Sequence, residues 1–394
     1  MPLMEMTIMD QKKEFILLWK SNKYTFTCLC DHFGISRSTG YKYVKRFEES
    51  GMDGLEPRSR APHHTPSKIP EEIEKRIIEI RKEHHTWGAK KLRWRLEKDG
   101  IYSRIPANST ITNILKRNGL IPERRKRVHV ERRYPKFEAD NCNEIWSADY
   151  KGEFRTTDGK NCYPLTIADT YSRFIIKIKG LSRPNLEQSK PVFEDVFIQY
   201  GLPEQLHTDN GSPFANVRAL GRYTQFSVWL MELGILPVFS DPASPQQNGK
   251  HERMHRVLKA EACREPGKNL RSQQIKFNRF TKSFNDERPH EGLGMVTPGS
   301  VYEKSKRRYK KKIEEWKYPS EYRVKYICKN GIIRVGARDS IFVGTAFKEK
   351  KLGFEEIGNG ISRVWFREFL LGYLNEHELK IYDILEYDYI PKVF

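Results

Sequence analysis

Cysteine is sparse in this sequence, and no two cysteines have the spacing of a metal-binding pair. The six cysteines are Cys28, Cys30, Cys142, Cys162, Cys263 and Cys328. A structural zinc site needs four clustered Cys or His ligands, and the pairs His63-His64 and His84-His85 have no matching cysteine pair. Scattered thiols also argue against a disulfide framework and suit a reducing cytoplasm. We therefore expect neither structural zinc nor structural disulfides.

Long hydrophobic runs are also missing. No stretch reaches the roughly 18 apolar residues that a membrane span requires. The first residues do not combine a basic start, an apolar segment and a cleavage site, so a secretory signal is not expected. These absences predict a cytoplasmic protein with no membrane partner.

Positive charge, in contrast, is abundant. The 394 residues carry a formal net charge of +20, with a pI near 9.5. A chain of this length holds more than one ordinary domain. Excess positive charge favours polyanionic partners, nucleic acid first, although many basic proteins bind none.

The N-terminal segment has the pattern of a helix-turn-helix. In "TFTCLCDHFGISRSTGYKYVKRF" a short apolar-faced helix ends near Gly34, and Ser36 is a good N-cap for the next helix. That second helix would enter the DNA major groove. Its predicted DNA contacts are Arg37, Ser38, Lys42 and Lys45. The alternative is an ordinary helical hairpin.

A second helical unit follows a linker rich in proline and basic residues. Isoleucines at helical spacing begin it near Glu71, and "ANSTITNILKRNGL" predicts its last helix, capped near Asn108 or Ser109. Lys90 and Arg93 are candidate DNA contacts there. The alternative is a solvated helical spacer. "PERRKRVHVERR" follows as a basic linker.

From about Asn141 the pattern alternates between strands and helices, which predicts a mixed α/β sheet. After a further basic run, short strands with Gly or Asn turns predict a small all-β barrel. The predicted fold class is therefore multidomain, with all-α, α/β and all-β parts. The predicted boundaries are 1–55 (helix-turn-helix), 56–70 (linker), 71–120 (second helical DNA-binding domain), 121–140 (basic linker), 141–303 (α/β core), 304–319 (basic linker) and 320–394 (β barrel).

Three carboxylates of the α/β region could converge. Asp149 lies in the first strand, Asp209 follows a later strand in "HTDNGSPF", and Glu252 lies on a basic helix face opposite Met254 and Leu258. Three such carboxylates could hold two divalent ions for phosphoryl transfer, and oxygen ligands favour Mg²⁺. Alternatively, Glu252 is a solvated residue paired with its helix neighbours. Asn248, Arg256 and Lys259 on that helix are predicted DNA contacts.

Nearby polar residues have simpler interpretations. We interpret Asp169 as a structural or supporting residue of a turn. Asp158 is predicted in a hairpin turn, and Asp241 in a loop or cap. His207 is either a packed strand residue or a supporting neighbour of Asp209.

Several motifs in order resemble one family. The segments "WSADY", "IADTYSRF", "HTDNGSPF", "SPQQNGKHERMHRVLKAE" and "FNDERPHEGLGMVTPGSVY" are similar to those of DDE transposases from bacterial insertion sequences, in the retroviral-integrase superfamily. The N-terminal helix-turn-helix and linker also match the family, so the resemblance spans nearly the whole chain.

This resemblance implies an RNase H-like core with Asp149, Asp209 and Glu252 as catalytic, metal-binding triad. It implies two Mg²⁺ ions per site, with Mn²⁺ as a substitute. It also implies action on double-stranded DNA, namely terminal inverted repeats and target DNA, by a homo-oligomer that is at least a dimer in a paired-end complex.

Two departures from the family pattern stand out. Between Asp209 and Glu252 lie 42 residues, more than in many members, and "ANVRALGRYTQ" accounts for the excess as a loop extension. The HHCC zinc module of retroviral integrases has no counterpart. Two other functions stay open: a catalytically inactive, domesticated DNA-binding protein, and a stand-alone RNase H-type nuclease, which leaves the N-terminal modules unexplained.

Overall fold

The computed structural model describes residues 7–57, 69–121, 138–216, 219–240, 249–334 and 339–384. The chain divides into two compact units, Met1–Ile69 and Pro70–Phe394. Within the described ranges, no helix combines the length and apolar character needed to cross a bilayer.

The first unit is a three-helix domain. Its helices are α1 (Ile8–Lys20), α2 (Phe26–His32) and α3 (Arg37–Ser50). A side-chain oxygen caps each helix, from Thr7, Thr25 and Ser36, because each accepts a hydrogen bond from a backbone N–H of the first turn. The predicted helix-turn-helix and its Ser36 cap are confirmed.

Close packing between α2 and α3 requires a glycine in α3. Gly40 is buried in α3, and a Cβ atom there would lie 2.8 Å from Cys30 Sγ and 2.9 Å from the Phe26 ring. Those distances are far below ordinary contact, so the side of α3 that faces α2 admits no side chain at this position.

The second unit begins with three more helices. They are α4 (Glu71–Glu83), α5 (Ala89–Asp99) and α6 (Asn108–Arg117). Ile77 and Leu92 are fully buried among them. The predicted cap of α6 was wrong by one position: Ala107 is the N-cap and no side chain caps the helix. The chain enters α6 one residue earlier than the polar residues suggested.

A six-stranded mixed sheet forms the centre of this unit. Its strands are β1 (Ile145–Tyr150), β2 (Phe154–Arg155), β3 (Asn161–Asp169), β4 (Ile175–Leu181), β5 (Gln205–Thr208) and β6 (Leu236–Phe239). The main order is β2-β3-β1-β5-β6, with β4 also paired to β3. The strands β1, β3 and β4 are antiparallel neighbours, whereas β1, β5 and β6 run parallel.

Helices cover both faces of this sheet. They are α7 (Leu186–Tyr200), α8 (Gln225–Glu232), α9 (Gly249–Leu258) and α10 (Leu270–Lys282), followed by the short α11 (Pro298–Val301). Trp146 and Ala148 of β1 pack in one apolar cluster with α7 and α8. The other cluster joins β4 to α9 and α10. The predicted α/β core is confirmed.

The C-terminal part is all β, as predicted. Its strands are β7 (Arg323–Tyr326), β8 (Ile332–Arg334), β9 (Ser340–Phe342), β10 (Lys351–Gly358), β11 (Ile361–Phe366), β12 (Phe369–Asn375) and β13 (Lys380–Asp383). Five of them form an antiparallel sheet in the order β13-β12-β11-β10-β7, and β8 and β9 form a ribbon.

The β part shares its apolar core with helix α8. Val228 and Met231 of α8 are almost fully buried in one cluster with residues of β8 to β12. The Glu232 carboxylate at the end of α8 also pairs with Lys350. Helix α8 therefore contacts the central sheet on one side and the β part on the other.

The basic segment 304–319 lies against the α/β core. The Arg307 guanidinium donates to the carbonyls of Pro203 and Gly234, and the Leu202 amide donates to the Arg307 carbonyl at 2.8 Å. Tyr309 and Ile313 pack on the apolar cluster of α7. The Arg307 guanidinium is therefore bound to the core and is less available to a polyanion.

Candidate active site

Asp149 and Asp209 follow paired residues of neighbouring strands. In the parallel pairing of β1 with β5, Ala148 lies opposite Thr208; Asp149 is the next residue of β1, and Asp209 is the first residue after β5. Ser147 and Asp149 point away from the cluster that buries Trp146 and Ala148, because a strand places successive side chains on opposite faces.

A turn fixes the Asp209 carboxylate. The Gly211 amide donates to Asp209 Oδ1 at 3.1 Å. A Cβ atom at position 211 would lie only 3.1 Å from Asp209 Oδ2, so a side chain there would crowd the carboxylate. The glycine of "DNG" therefore leaves room for the exposed carboxylate in its hydrogen-bonded orientation.

Glu252 lies on the exposed face of α9. Met254 and Leu258 are buried on the opposite face against β4 and α10, as the helical wheel predicted. The side chain of Glu252 is exposed. Its position on the helix is therefore set by apolar packing on the far side.

The electrostatics of Asp149 link the three carboxylates. The pKa of Asp149 is raised to about 7. Burial is the largest cause, and the negative charges of Asp209 and, more weakly, Glu252 also raise it. Hydrogen bonding from the Tyr150 backbone and the charge of Lys151 act in the opposite direction. Asp209 and Glu252 therefore both lie close enough to Asp149 to disfavour its ionised form.

Two histidines of α9, which the sequence did not single out, contact β1 and β3 next to Asp149. His251 Nδ1 lies 2.8 Å from Ser147 Oγ, and both His251 Nε2 and His255 Nε2 lie within hydrogen-bonding distance of Thr166 Oγ1, at 2.6 and 2.7 Å. Asp149, His251 and His255 each present one ligand atom within 4.8 Å of the others. The i, i+4 spacing in "HERMH" was the available signal.

The remaining polar residues have structural roles. Asp169 is buried and accepts hydrogen bonds from the amides of Asn143 and Ser172, each at 2.8 Å, as expected of a structural residue. Asp158 accepts from Thr156 and Lys160 in its turn. His207 is buried in β5 beside Ser240. Asp241 lies outside the described residues.

The extension after Asp209 connects the site to the β part. Arg222 donates to Asn210 Oδ1 at 2.9 Å and to the Ser240 carbonyl at 3.1 Å. Its neighbours Leu220 and Tyr223 pack on the apolar cluster shared by α8 and the β part. The extension therefore supports the turn that holds Asp209.

A basic cavity lies beside the C-terminal half of α9. Arg256 and Lys259, both exposed, line this cavity of about 470 Å³ together with Lys151, Arg264 and one carboxylate, Glu153. The excess of positive charge favours a polyanion at this surface, and Arg256 and Lys259 stay predicted DNA contacts. The predicted contact Asn248 lies outside the described residues.

Lys90 and Arg93 are engaged in ion pairs. Lys90 Nζ lies 2.9 Å from Glu291, and Arg93 Nε lies 2.8 Å from Glu97. Both pairs are exposed, and exposed pairs contribute little to stability. Each side chain could exchange its carboxylate for a phosphate, so both stay predicted DNA contacts.

The helices α4 to α6 are attached to the core by a buried ion pair. Arg288 is 7% exposed and lies 3.1 Å from the Glu261 carboxylate and 2.9 Å from Thr86 Oγ1. Thr86 in turn donates to Glu261. This contact fixes the loop before α5 against the region that follows α9.

The predicted contacts of the recognition helix are all exposed. Arg37 and Ser38 lie in the first turn of α3, and Lys42 and Lys45 lie on its outer side. The buried residues Gly40 and Val44 lie on the other side of the helix. The arrangement leaves a polar, basic surface free for the major groove.

We expect Lys45→Gln to weaken binding to all duplexes and to lower the salt dependence by about one counterion. The physical reason is the loss of one phosphate contact, which carries no sequence information. Binding titrations at several salt concentrations measure both effects. Lys13→Gln on α1 is the matched control for charge; an equal change in that variant would contradict the assignment to α3.

Comparison with known protein families agrees with this architecture. The integrase core domain family matches residues 139–245, and a second family of the same description matches residues 233–298. A homeodomain-like domain family matches residues 39–115, and a helix-turn-helix domain family matches residues 11–63.

Individual relatives cover only part of the chain. It is 27% identical over 121 residues to the Gag-Pol polyprotein of Koala retrovirus, which is 30% of this chain and 7% of the polyprotein. It is 35% identical over 100 residues to "Putative integrase ORF3" of Spiroplasma virus SpV1-C74, which is 24% of this chain and 28% of that protein. The chain thus spans less than a third of the length of these relatives.

Two solved structures are among the similar ones. The catalytic core domain of HTLV-2 integrase in complex with magnesium is 15% identical, with a TM-score of 0.34 over 42% of this chain and 100% of that chain. The intasome of simian T-cell lymphotropic virus in complex with the PP2A regulatory subunit B56 gamma is 15% identical, with a TM-score of 0.37 over 75% and 97%.

The family matches define the class of protein. The chain carries an integrase core domain, preceded by helix-turn-helix domains. The integrase core and the helix-turn-helix expected from the sequence motifs are therefore confirmed.

Proposed function

We propose that this protein is a DNA transposase. It binds the terminal inverted repeats of an insertion sequence, cleaves the element ends by phosphodiester hydrolysis, and joins the 3′-hydroxyl ends to target DNA. The observation that supports the proposal is the placement of Asp149 beside Asp209 where β1 pairs with β5 in an integrase core, with Glu252 near enough for its charge to raise the pKa of Asp149.

The carboxylates fit a pair of hard divalent cations. Their oxygens are the ligands that Mg²⁺ prefers, and Mn²⁺ is an acceptable substitute. Burial is the main cause of the raised pKa of Asp149, and the negative charges of Asp209 and Glu252 add to it; a bound cation would offset both. When bound, two such ions activate a water or a 3′-hydroxyl and stabilise the leaving oxygen of an in-line displacement.

The chain's own residues position the carboxylates and the DNA. Thr166 donates to the Asp149 carbonyl at 2.9 Å and holds this part of β1 in place. The Gly211 amide orients Asp209. Arg256 and Lys259 bind backbone phosphates next to Glu252. The exposed face of α3 reads the terminal repeats.

Two element ends must be held together for joining, so the proposed active form is a homo-oligomer, at least a dimer, on DNA. The alternative of a catalytically inactive DNA-binding descendant would keep the basic surfaces and lack cleavage. Both functions require DNA binding, and only the transposase requires the carboxylates.

We expect Asp209→Asn to abolish cleavage while DNA binding and folding stay near those of the natural protein. The amide keeps the shape of the side chain and its bond from Gly211, but it removes the negative charge that holds a cation. Cleavage of a duplex that carries the element end, in Mg²⁺, together with a mobility-shift assay, measures both properties.

Asp195→Asn is the matched control, because Asp195 is exposed on α7. Near-normal cleavage by the Asp209→Asn variant would contradict the assignment of the three carboxylates as catalytic residues. Absence of cleavage by the natural protein on its own element ends, in Mg²⁺ or Mn²⁺, would favour the inactive DNA-binding protein.

A further inference from the structure

The hydrogen-bond network around Thr166 fixes the protonation of two histidines. Thr166 Oγ1 lies 2.9 Å from the Asp149 carbonyl, which can only accept, so the single hydroxyl proton of Thr166 is donated there. The two lone pairs of Thr166 then accept from His251 Nε2 and His255 Nε2. Both imidazoles therefore carry their proton on Nε2.

This tautomer has different consequences for the two rings. His251 Nδ1 accepts a hydrogen bond from Ser147 Oγ at 2.8 Å, a much shorter contact than the 3.4 Å from Ser147 Oγ to the Ala168 carbonyl, so both nitrogens of His251 are satisfied. Asp149 Oδ2 lies 3.7 Å from His255 Nδ1. His251 has no lone pair left for a ligand, whereas His255 has one.

Two hydrogen-bond acceptors, His255 Nδ1 and Asp149 Oδ2, thus lie opposite each other at a largely buried position. The side chains of His255 and Asp149 are 9% and 20% exposed. With the His255 proton on Nε2, where it is donated to Thr166, Nδ1 has no proton to offer the Asp149 carboxylate. A neutral imidazole nitrogen opposite a carboxylate oxygen is unfavourable unless a proton or a cation lies between them.

The spacing suits a metal ion. A cation about 2.1 Å from each atom fits between a nitrogen and an oxygen separated by 3.7 Å. Ligating histidines commonly donate their other N–H to a neighbouring oxygen, which fixes the ring and raises its basicity. Thr166 supplies that oxygen for His255.

We propose that His255 Nδ1 is a ligand of the ion held by Asp149, so that this ion has a mixed nitrogen and oxygen ligand set. The inference rests on the proposed metal site and adds a fourth residue to it. A nitrogen ligand favours Mn²⁺ over Mg²⁺, because imidazole suits transition metals and Mg²⁺ prefers oxygen. The protein therefore binds Mn²⁺ more tightly than an all-carboxylate site would.

Pulsed electron paramagnetic resonance of Mn²⁺ bound to the full-length protein tests this ligand directly, without any measurement of activity. A ¹⁴N coupling to Mn²⁺ is expected, and it should change to a ¹⁵N coupling when the histidines carry ¹⁵N. His255→Gln should remove the coupling, since the glutamine amide can still donate to Thr166 but offers nothing at the position of Nδ1.

The affinities give a second readout. His255→Gln should weaken Mn²⁺ binding about tenfold or more, and Mg²⁺ binding, measured by competition, to a smaller extent. His255→Asn places an oxygen near the position of Nδ1 and should shift the preference toward Mg²⁺. Arg256→Gln is the control from the adjacent exposed position and should keep the ¹⁴N coupling.

The outcomes separate this inference from the proposed function. Mn²⁺ that depends on Asp149 but shows no ¹⁴N coupling would overturn the role of His255 and leave the carboxylate site in place; a shared proton then fills the gap. Mn²⁺ binding that is unaffected by Asp149→Asn would overturn both. If His255→Gln fails to fold, the ¹⁴N and ¹⁵N spectra of the natural sequence decide the question alone.

Discussion

Asp149→Asn is expected to make the metal-free protein more stable at pH 8 than the natural sequence. The side chain is mostly buried beside two other carboxylates, and its pKa is raised to about 7. An ionised Asp149 therefore costs folding free energy at pH 8, and the neutral amide removes that cost. The shift is about three pKa units and each unit corresponds to about 1.4 kcal/mol, so we expect a gain of up to about 4 kcal/mol in the free energy of unfolding.

The pH dependence of this gain has a defined sign. The folded-state pKa lies above the unfolded value of about 3.9, so the favourable contribution of Asp149 is full below pH ~4 and is lost as the pH rises through 7. The advantage of the variant should therefore be large at pH 8 and vanish near pH 4. Thermal unfolding in EDTA across this range measures it.

Magnesium should reverse the order of stability. A cation bound by the natural protein stabilises the folded state by mass action, and the variant loses that contribution. Asp195→Asn, on the exposed surface of α7, should change neither the metal-free stability nor the response to Mg²⁺. A variant at position 149 that is less stable than the natural protein in EDTA at pH 8 would contradict the electrostatic assignment.

The second large effect concerns the β part. Removal of residues 320–394 is expected to destabilise the integrase core strongly, because Val228 and Met231 of α8 are buried against the strands that would be lost. Each such side chain contributes about 1.5–3 kcal/mol when it is fully buried. The loss would also break the pair of Glu232 with Lys350.

The loss of these contacts is expected to unfold the core, because domains are only marginally stable. Domains have only about 5–15 kcal/mol of net stability, and several contacts of α8 disappear together. Urea unfolding and hydrogen exchange of residues 225–232, compared between the full chain and the truncated one, measure the effect. Met231→Ala in the full chain, expected to cost about 2–5 kcal/mol, isolates one contact.

The control is a truncated protein in which the face of α8 that the truncation exposes is made polar. Val228→Lys with Met231→Lys should restore solubility to the truncated chain while it disrupts the full-length protein. Equal unfolding midpoints for the full chain and for residues 1–319 would show that the β part and the core are independent.

Local sequence signals predicted most of the fold. Ser36 caps α3 as expected, and Gly201 ends α7. The alternation in "WSADY" predicted which β1 residues face the core, because a strand places successive side chains on opposite faces. Such features depend on residues a few positions apart, so the sequence alone determines them.

The features that were missed depend on contacts between distant residues. His251 binds Ser147 across a separation of 104 residues, and this contact exists only because α9 crosses β1 and β3 at one particular place. The basic run 304–319 predicted affinity for a polyanion, yet the Arg307 donors are satisfied by carbonyls of the core. Charge and spacing in the sequence do not reveal such partners.

The three carboxylates could be predicted from the sequence, but the residues that support them could not. Motifs indicated Asp149, Asp209 and Glu252, and the parallel pairing of β1 with β5 brings the first two to neighbouring positions. The supporting residues, such as Arg222 from the extension, could not be assigned because the course of the extension depends on the β part.

The distance in sequence between β1 and α9 has a consequence for protein synthesis. A growing chain completes α1 to α3 about 200 residues before α9, so the exposed face of α3 can form early. The contacts of Asp149 with α9 cannot form until His251 and Glu252 have left the ribosome, and α8 lacks its second packing partner until the last strands follow. Under the proposed function, an unfinished chain would therefore be able to bind DNA before its cleavage site is complete.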